Sequence, residues 1–168
     1  MRLKFFNKLF FTTSGVFIVT LTLVFVLMTV AVNEAFVSEK QNVLLSCSNT
    51  IASELAAEDG DVSEATESVV TTLSKVNDID IFIIDEFGKV VLCGCDDFTV
   101  NHTCIHTDLL VSNEFLNNVP EEAHVEMSAI GGIYDNLNYS ASKHITLSDG
   151  TKLNIVAASD VMTAYELI

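Results

Sequence analysis

From Leu9 to Asn33 the chain runs for 25 residues without a charged side chain, between Arg2, Lys4 and Lys8 on one side and Glu34 and Glu39 on the other. As a helix such a run is about 37 Å long, more than the roughly 30 Å of bilayer hydrocarbon, so it can cross with some tilt. The sequence therefore predicts a membrane helix over 9–33. Basic flanks stay in the cytoplasm, which puts residues 1–8 inside and the rest of the chain outside. A cleaved signal peptide shares the basic start, but its apolar core spans only about 7–15 residues, and the best small-residue cleavage pattern here, Thr29-Val30-Ala31, comes late. The expectation is an uncleaved, single-pass membrane anchor.

All 23 acidic residues lie beyond Asn33, against five basic ones (Lys40, Lys75, Lys89, Lys143 and Lys152), a balance of −18. That field opposes nucleic acid and anionic lipid and favours cations or plain solubility. The remaining stretch of about 135 residues is the size of one domain, and its single Pro and lack of low-complexity tracts or repeats argue against disorder or a second module.

After the anchor, Phe36, Val37, Leu44, Cys47, Ile51 and Leu55 recur at helical spacing, and no Gly or Pro interrupts the chain between the anchor and Glu58. The apolar helix is expected to continue outward as an amphipathic helix to about Asp59-Gly60, a connection able to carry force. Asp61 with Glu64 makes a capping-box pattern for a second helix running to about Asn77. The run Ile79–Ile84, the turn Asp85-Glu86-Phe87-Gly88 and then Lys89–Leu92 predict a β-hairpin, with a first strand apolar on both faces and therefore interior to the sheet. Ser112 can cap a short helix stopped by Pro120. Strands are expected at about 123–130, 137–147 and 151–159, the last two joined at Asp149-Gly150. In the 137–147 strand, Leu137, Tyr139, Ala141, Ile145 and Leu147 alternate with Asn138, Ser140, Ser142, His144 and Thr146, so one face packs and the other is wet or lines a cavity. From Asp160 the pattern turns helical again up to Ile168, as though a continuation were missing.

The fold class expected is thus α+β: a membrane helix extended by a long helix, then an antiparallel sheet of about five strands with flanking helices. The domain division expected is a cytoplasmic amino terminus over 1–8, the membrane helix over 9–33, an extracytoplasmic domain over 34–160, and the start of a helix over 161–168 leading to a second span.

Between Gly94 and about Leu110 periodicity is lost, and Cys93, Cys95 and Cys104 gather there with His102 and His106. Outside the cytosol three chemistries compete for such a cluster. A disulfide from Cys104 to Cys93 or Cys95 would staple the loop. Thiolates and imidazoles could hold a soft metal ion, although the spacing matches no standard zinc pattern. Thiols kept reduced could sense redox state or a reactive ligand. The only cofactor the sequence suggests is thus a soft metal ion. Cys47, on the apolar helix stripe, reads as a buried small hydrophobe, and the isolated His124 and His144 as surface or internally bonded residues. No Ser-His-Asp set or phosphate loop is present, and Asp96-Asp97 and Glu121-Glu122 lack a partnered nucleophile. A pilin-like subunit would also begin with a long apolar helix, but the processing Gly before Phe and the early Glu of that helix are missing.

The layout resembles the extracytoplasmic PAS-like sensor domains, also called Cache or PDC domains, of bacterial receptor histidine kinases. The segments Ile81–Cys95, Cys104-Ile105-His106, Gly131-Gly132-Ile133-Tyr134, Asn138-Tyr139 and Ala157-Ala158-Ser159 are similar to those of clostridial-type two-component sensor kinases. The resemblance implies a PAS-like sheet and a ligand cavity near Gly131, Gly132, Tyr134 and Tyr139. It also implies a homodimer that binds a small molecule or ion, and a parent kinase acting on a cognate response regulator through a region beyond Ile168. The chain itself holds no phosphoacceptor helix or ATP-binding segment, so no enzymatic activity is expected of it. The rival expectation is a free-standing, membrane-anchored metal- or redox-binding protein.

Overall fold

The computed structural model describes residues 2–58, 62–95, 106 and 109–159, with 2–6 as backbone only. Helix α1 runs over Arg2–Ala57, and the chain divides into two units, Met1–Ser38 and Glu39–Ile168.

In the first unit the helix exposes Leu9, Phe11, Phe17, Leu23, Phe25 and Leu27. It is the amino-terminal part of the one described helix long and apolar enough to cross a membrane. Its polar side chains turn inward on the helix itself. The hydroxyls of Thr12, Thr13, Thr20, Thr22 and Thr29 each donate to the carbonyl four residues back, at 2.8–3.1 Å. That bonding gives each hydroxyl a partner within the helix itself.

In the second unit, α2 (Glu64–Asn77) is followed by β1 (Asp80–Ile84), β2 (Val90–Gly94), α3 (Asn113–Asn118), β3 (His124–Ser128), a 3₁₀ turn at Ile130–Gly132, β4 (Asn138–Thr146) and β5 (Lys152–Ser159). The five strands form one sheet of order β2-β1-β5-β4-β3, with antiparallel pairing throughout. The expected α+β architecture is present. β1 is interior as its two apolar faces required, while β5 holds the centre.

The two faces of the sheet carry separate cores. Ile81 and Ile83, Leu153, Ile155 and Ala157, and Ala141 of β4 point to one side, where the α1 stripe Leu44, Cys47, Ile51 and Leu55 and Val70 of α2 cover them. Phe82 and Ile84, Val90, Val156 and Ala158 point to the other, under Val111, Ile130, Phe115, Leu116 and Ile133. Period-two alternation in β1 and β5 produces this division. Each fully buried Leu, Ile or Phe contributes about 1.5–3 kcal/mol.

Three local expectations are corrected. The cap of α2 is Ser63, whose side chain accepts from the Thr66 N–H, and Asp61 lies outside the described residues. Leu137 precedes β4 and is exposed, so the packed face of that strand comprises Tyr139, Ala141, Ile145 and Leu147. The polar face of β4 is not wet throughout, since Asn138, Ser140 and Ser142 are buried. The helix expected from Asp160 lies outside the described residues.

Candidate metal centre

Residues two apart on an extended strand point the same way, so a C-x-C pattern at the end of β2 can aim two thiols at one place. Cys93 lies opposite Phe82 in the β1–β2 register, and both belong to the face away from α1. The intervening Gly94 faces α2. A Cβ there would come within 2.7 Å of Val70 Cγ1 and 2.9 Å of the Val70 carbonyl oxygen, so only glycine lets the helix lie this close to the strand. The hydroxyl of Ser74 lies against the Ile79 carbonyl, at 2.6 Å, and that of Gly94, sharing its one proton between them and fixing the strand end to α2.

His106 is brought in by a segment that returns along the start of β2. The Leu109 N–H donates to the His106 carbonyl at 3.2 Å, the Val90 N–H to Leu109 at 3.1 Å and the Val111 N–H to Gly88 at 2.8 Å. The imidazole stands edge-on to Phe82, with ring centroids 5.4 Å apart. Its Nδ1 lies 3.4 Å from the Cys95 sulfur and 3.9 Å from that of Cys93.

The two sulfurs are 2.8 Å apart, and one donor atom from each of Cys93, Cys95 and His106 falls within 4.8 Å of the other two. These three residues lie close together and could bind a metal ion. A tetrahedral site with metal–sulfur bonds of about 2.3 Å and metal–nitrogen bonds of about 2.0 Å has S···S edges of about 3.8 Å and S···N edges of about 3.6 Å. The sulfur–nitrogen separations already bracket that value, so metal entry asks mainly for the thiols to part by about 1 Å. Three protein donors would leave a fourth position open.

Tyr134 closes the cluster on its third side. The turn Ile130–Gly132 delivers it, with its N–H bonded to the Ala129 carbonyl at 3.2 Å. Gly131 sits at φ +60 where a Cβ would meet Val111 Cγ1 at 2.4 Å, and the buried, β-branched Ile130 itself takes φ +50. The Tyr134 ring lies 6.0 Å from both Phe82 and His106. Its hydroxyl donates to the Asp80 carboxylate, and burial first, then that bond and charge and the neighbouring thiols, push its pKa far above the ordinary tyrosine range.

Of the residues singled out by sequence, Cys93, Cys95, His106 and Tyr134 thus converge, while Cys104 and His102 lie outside the described residues. Gly131 shapes the turn that carries Tyr134, and Gly132, at φ +102, borders open space. Tyr139 packs against the opposite core, so the two tyrosines do not share a cavity. Cys47 is buried beside Asn77, whose Nδ2 is 3.7 Å from its sulfur, and burial raises its pKa. Asp80 and Phe82 were missed by the motif reading. The available signal was the alternation Asp80, Phe82, Ile84, which puts the one acid of an apolar strand on the face of the cysteines.

No known family model matches the chain, and no curated protein matches it.

Proposed function

We propose that the chain is the membrane-anchored extracytoplasmic input domain of a two-component sensor histidine kinase, and that it reads a soft metal ion at Cys93, Cys95 and His106. The observation that carries this is the convergence of two thiols and an imidazole within 4.8 Å. Such donors select copper(I) or zinc over calcium and magnesium, which require oxygen ligands. The acidic exposed region raises the local concentration of cations. A five-stranded antiparallel sheet with flanking helices supports the PAS-like reading, and the apolar α1 supports a single-pass anchor with residues 1–8 in the cytoplasm. Metal binding would part the thiols at the end of β2, against which Val70 and Ser74 of α2 are packed, and so bias one of two arrangements in a homodimer.

The full chain in detergent, titrated with copper(I) or zinc against a chromophoric chelator, should take up one ion. The Cys93→Ser and Cys95→Ser variants should lose it. Uptake unchanged in both variants would sink the reading. Protease treatment of intact cells should remove the region after Asn33, and protection of that region would overturn the orientation.

The free-standing, membrane-anchored metal protein rests on the same three residues. Coding sequence downstream of Ile168 that continues into a second apolar span and a kinase core favours the receptor, whereas a stop codon there favours the free-standing protein.

A further inference from the structure

The two sulfurs at the end of β2 stand closer than either packing or a shared ion would put them. Non-bonded heavy atoms rest about 3.5–4.0 Å apart, and two thiolates on one tetrahedral ion about 3.8 Å apart. The Cys93 and Cys95 sulfurs are at 2.8 Å, within about 0.8 Å of the roughly 2.05 Å of a sulfur–sulfur bond. Their separation therefore lies between two end states, one open around a metal ion and one closed as a disulfide.

The backbone sets the character of the closed state. Residues two apart on an extended strand have Cα atoms about 6.6 Å apart, close to the upper end of the roughly 4.4–6.8 Å that a disulfide spans. Closing the pair draws the end of β2 together, and a bond made under that tension is more readily reduced than an ordinary structural one. The one residue between the cysteines is Gly94, which without a Cβ can take up the change in backbone angles. Burial makes the two sulfurs unequal. Cys95 is 3 % exposed and Cys93 half-buried, so an incoming reagent meets Cys93 with Cys95 held behind it. The acidic balance of the chain beyond Asn33 opposes anionic oxidants such as glutathione disulfide and leaves small uncharged ones unhindered.

We infer that Cys93 and Cys95 form a reversible oxidation site for small hydroperoxides, closing as a C-x-C disulfide. The Cys93 sulfur attacks one peroxide oxygen and the O–O bond breaks, giving a Cys93 sulfenic acid and an alcohol, or water where the oxidant is hydrogen peroxide. The Cys95 sulfur then attacks the Cys93 sulfur, the S–O bond breaks, and a water leaves with the Cys95 proton. The two thiols lose two electrons and two protons in all, and the peroxide takes up both. A small thiol reverses the step by attacking the Cys93 sulfur and releasing Cys95 as a thiol. A second thiol molecule frees Cys93 and departs with the first as their own disulfide. A closed pair holds its sulfurs at about 2.05 Å where an ion needs about 3.8 Å, so oxidation and metal binding exclude one another. That exclusion rests on the metal reading, whereas the bond itself does not.

The test uses the full chain in detergent, stripped of metal by a chelator, treated with hydrogen peroxide, alkylated and mapped by mass spectrometry. Cys93 and Cys95 should escape alkylation together, with two hydrogens lost from the peptide that holds both, in wild type and Cys104→Ser alike. Mercaptoethanol should restore both thiols. In the double variant Cys95→Ser, Cys104→Ser, dimedone should capture the Cys93 sulfenic acid. Zinc at about 100 times its Kd should slow closure of wild type roughly 100-fold, since only the ion-free chain reacts. Pairing of either cysteine with Cys104, oxidation of Cys93 to sulfinic acid while Cys95 still alkylates, or closure at an unchanged rate with zinc bound would each overturn the inference. A chain that takes up zinc but never closes also overturns it and leaves the metal reading intact. A chain that closes but takes up no zinc overturns the metal reading and supports the oxidation site. Should a variant fail to fold, the wild-type map alone decides the pairing.

Discussion

The hydroxyl of Tyr134 donates to the carboxylate of Asp80, a residue 54 positions earlier in the chain and at the head of the strand that carries Phe82. This bond ties the Ile130–Gly132 turn to β1 and closes the ring of groups around Cys93, Cys95 and His106.

Tyr134→Phe removes the donor while keeping the ring packing. Hydrogen bonds to charged groups contribute about 1.5–3 kcal/mol, so chemical denaturation should show a loss of that order at neutral pH. The same bond sets an alkaline limit. With the folded pKa raised, the tyrosine's contribution is complete below the unfolded value of about 10 and declines as pH rises above it. Denaturation between pH 9 and 11 should show wild type converging on the variant, and parallel curves would contradict the coupling.

Metal affinity should depend on both thiols. Altering an outer-shell partner typically costs 10–100-fold in affinity, so losing a ligand outright in Cys95→Ser should exceed about 100-fold in chelator competition. Tyr134→Phe, as a neighbour, should fall within that smaller range. Equal effects of the two changes would argue that Cys95 is not a ligand.

Gly94→Ala introduces a methyl that meets Val70 at 2.7 Å. Overpacking of this kind costs about 1–3 kcal/mol, which thermal unfolding should register as a drop of several degrees. Adding Val70→Ala should recover part of that loss, since the two substitutions share one contact. A variant as stable as wild type would show that α2 can shift without cost.

The entry to α2 should be sensitive to acid. Glu58 accepts from Ser63 Oγ at 2.7 Å and from Thr66 Oγ1 at 2.8 Å, and these bonds lower its pKa. With a depressed folded pKa, the stabilisation is present above the ordinary carboxylate value of about 4.3 and disappears as pH falls through the folded one. Glu58→Gln should therefore differ from wild type at pH 7 and match it near pH 2 in the fraying of the first turn of α2, read by hydrogen exchange.

Much of the fold was legible because its signals are local. The cap at Ser112, the turn at Asp85–Gly88, the Asp149-Gly150 hairpin and the polar–apolar alternation of β4 each act within a few residues, and the strand expected over 137–147 comes within one residue at each end of the observed Asn138–Thr146. The cap of α2 was misjudged because Asp61 and Ser63 are both competent caps. The burial of Ser140 and Ser142 depends on groups packed over β4, which alternation alone does not specify.

What the sequence determined by itself is the long apolar amino-terminal helix, the acidic balance of the rest of the chain and the α+β order, because continuous hydropathy, charge and period-two patterning act along the chain. Only the tertiary structure decided that His106 and Tyr134 join Cys93 and Cys95 while Tyr139 does not. Those relations depend on which strand neighbours which and on which face each residue occupies, and the strand order β2-β1-β5-β4-β3 is fixed by long-range pairing that no local pattern encodes.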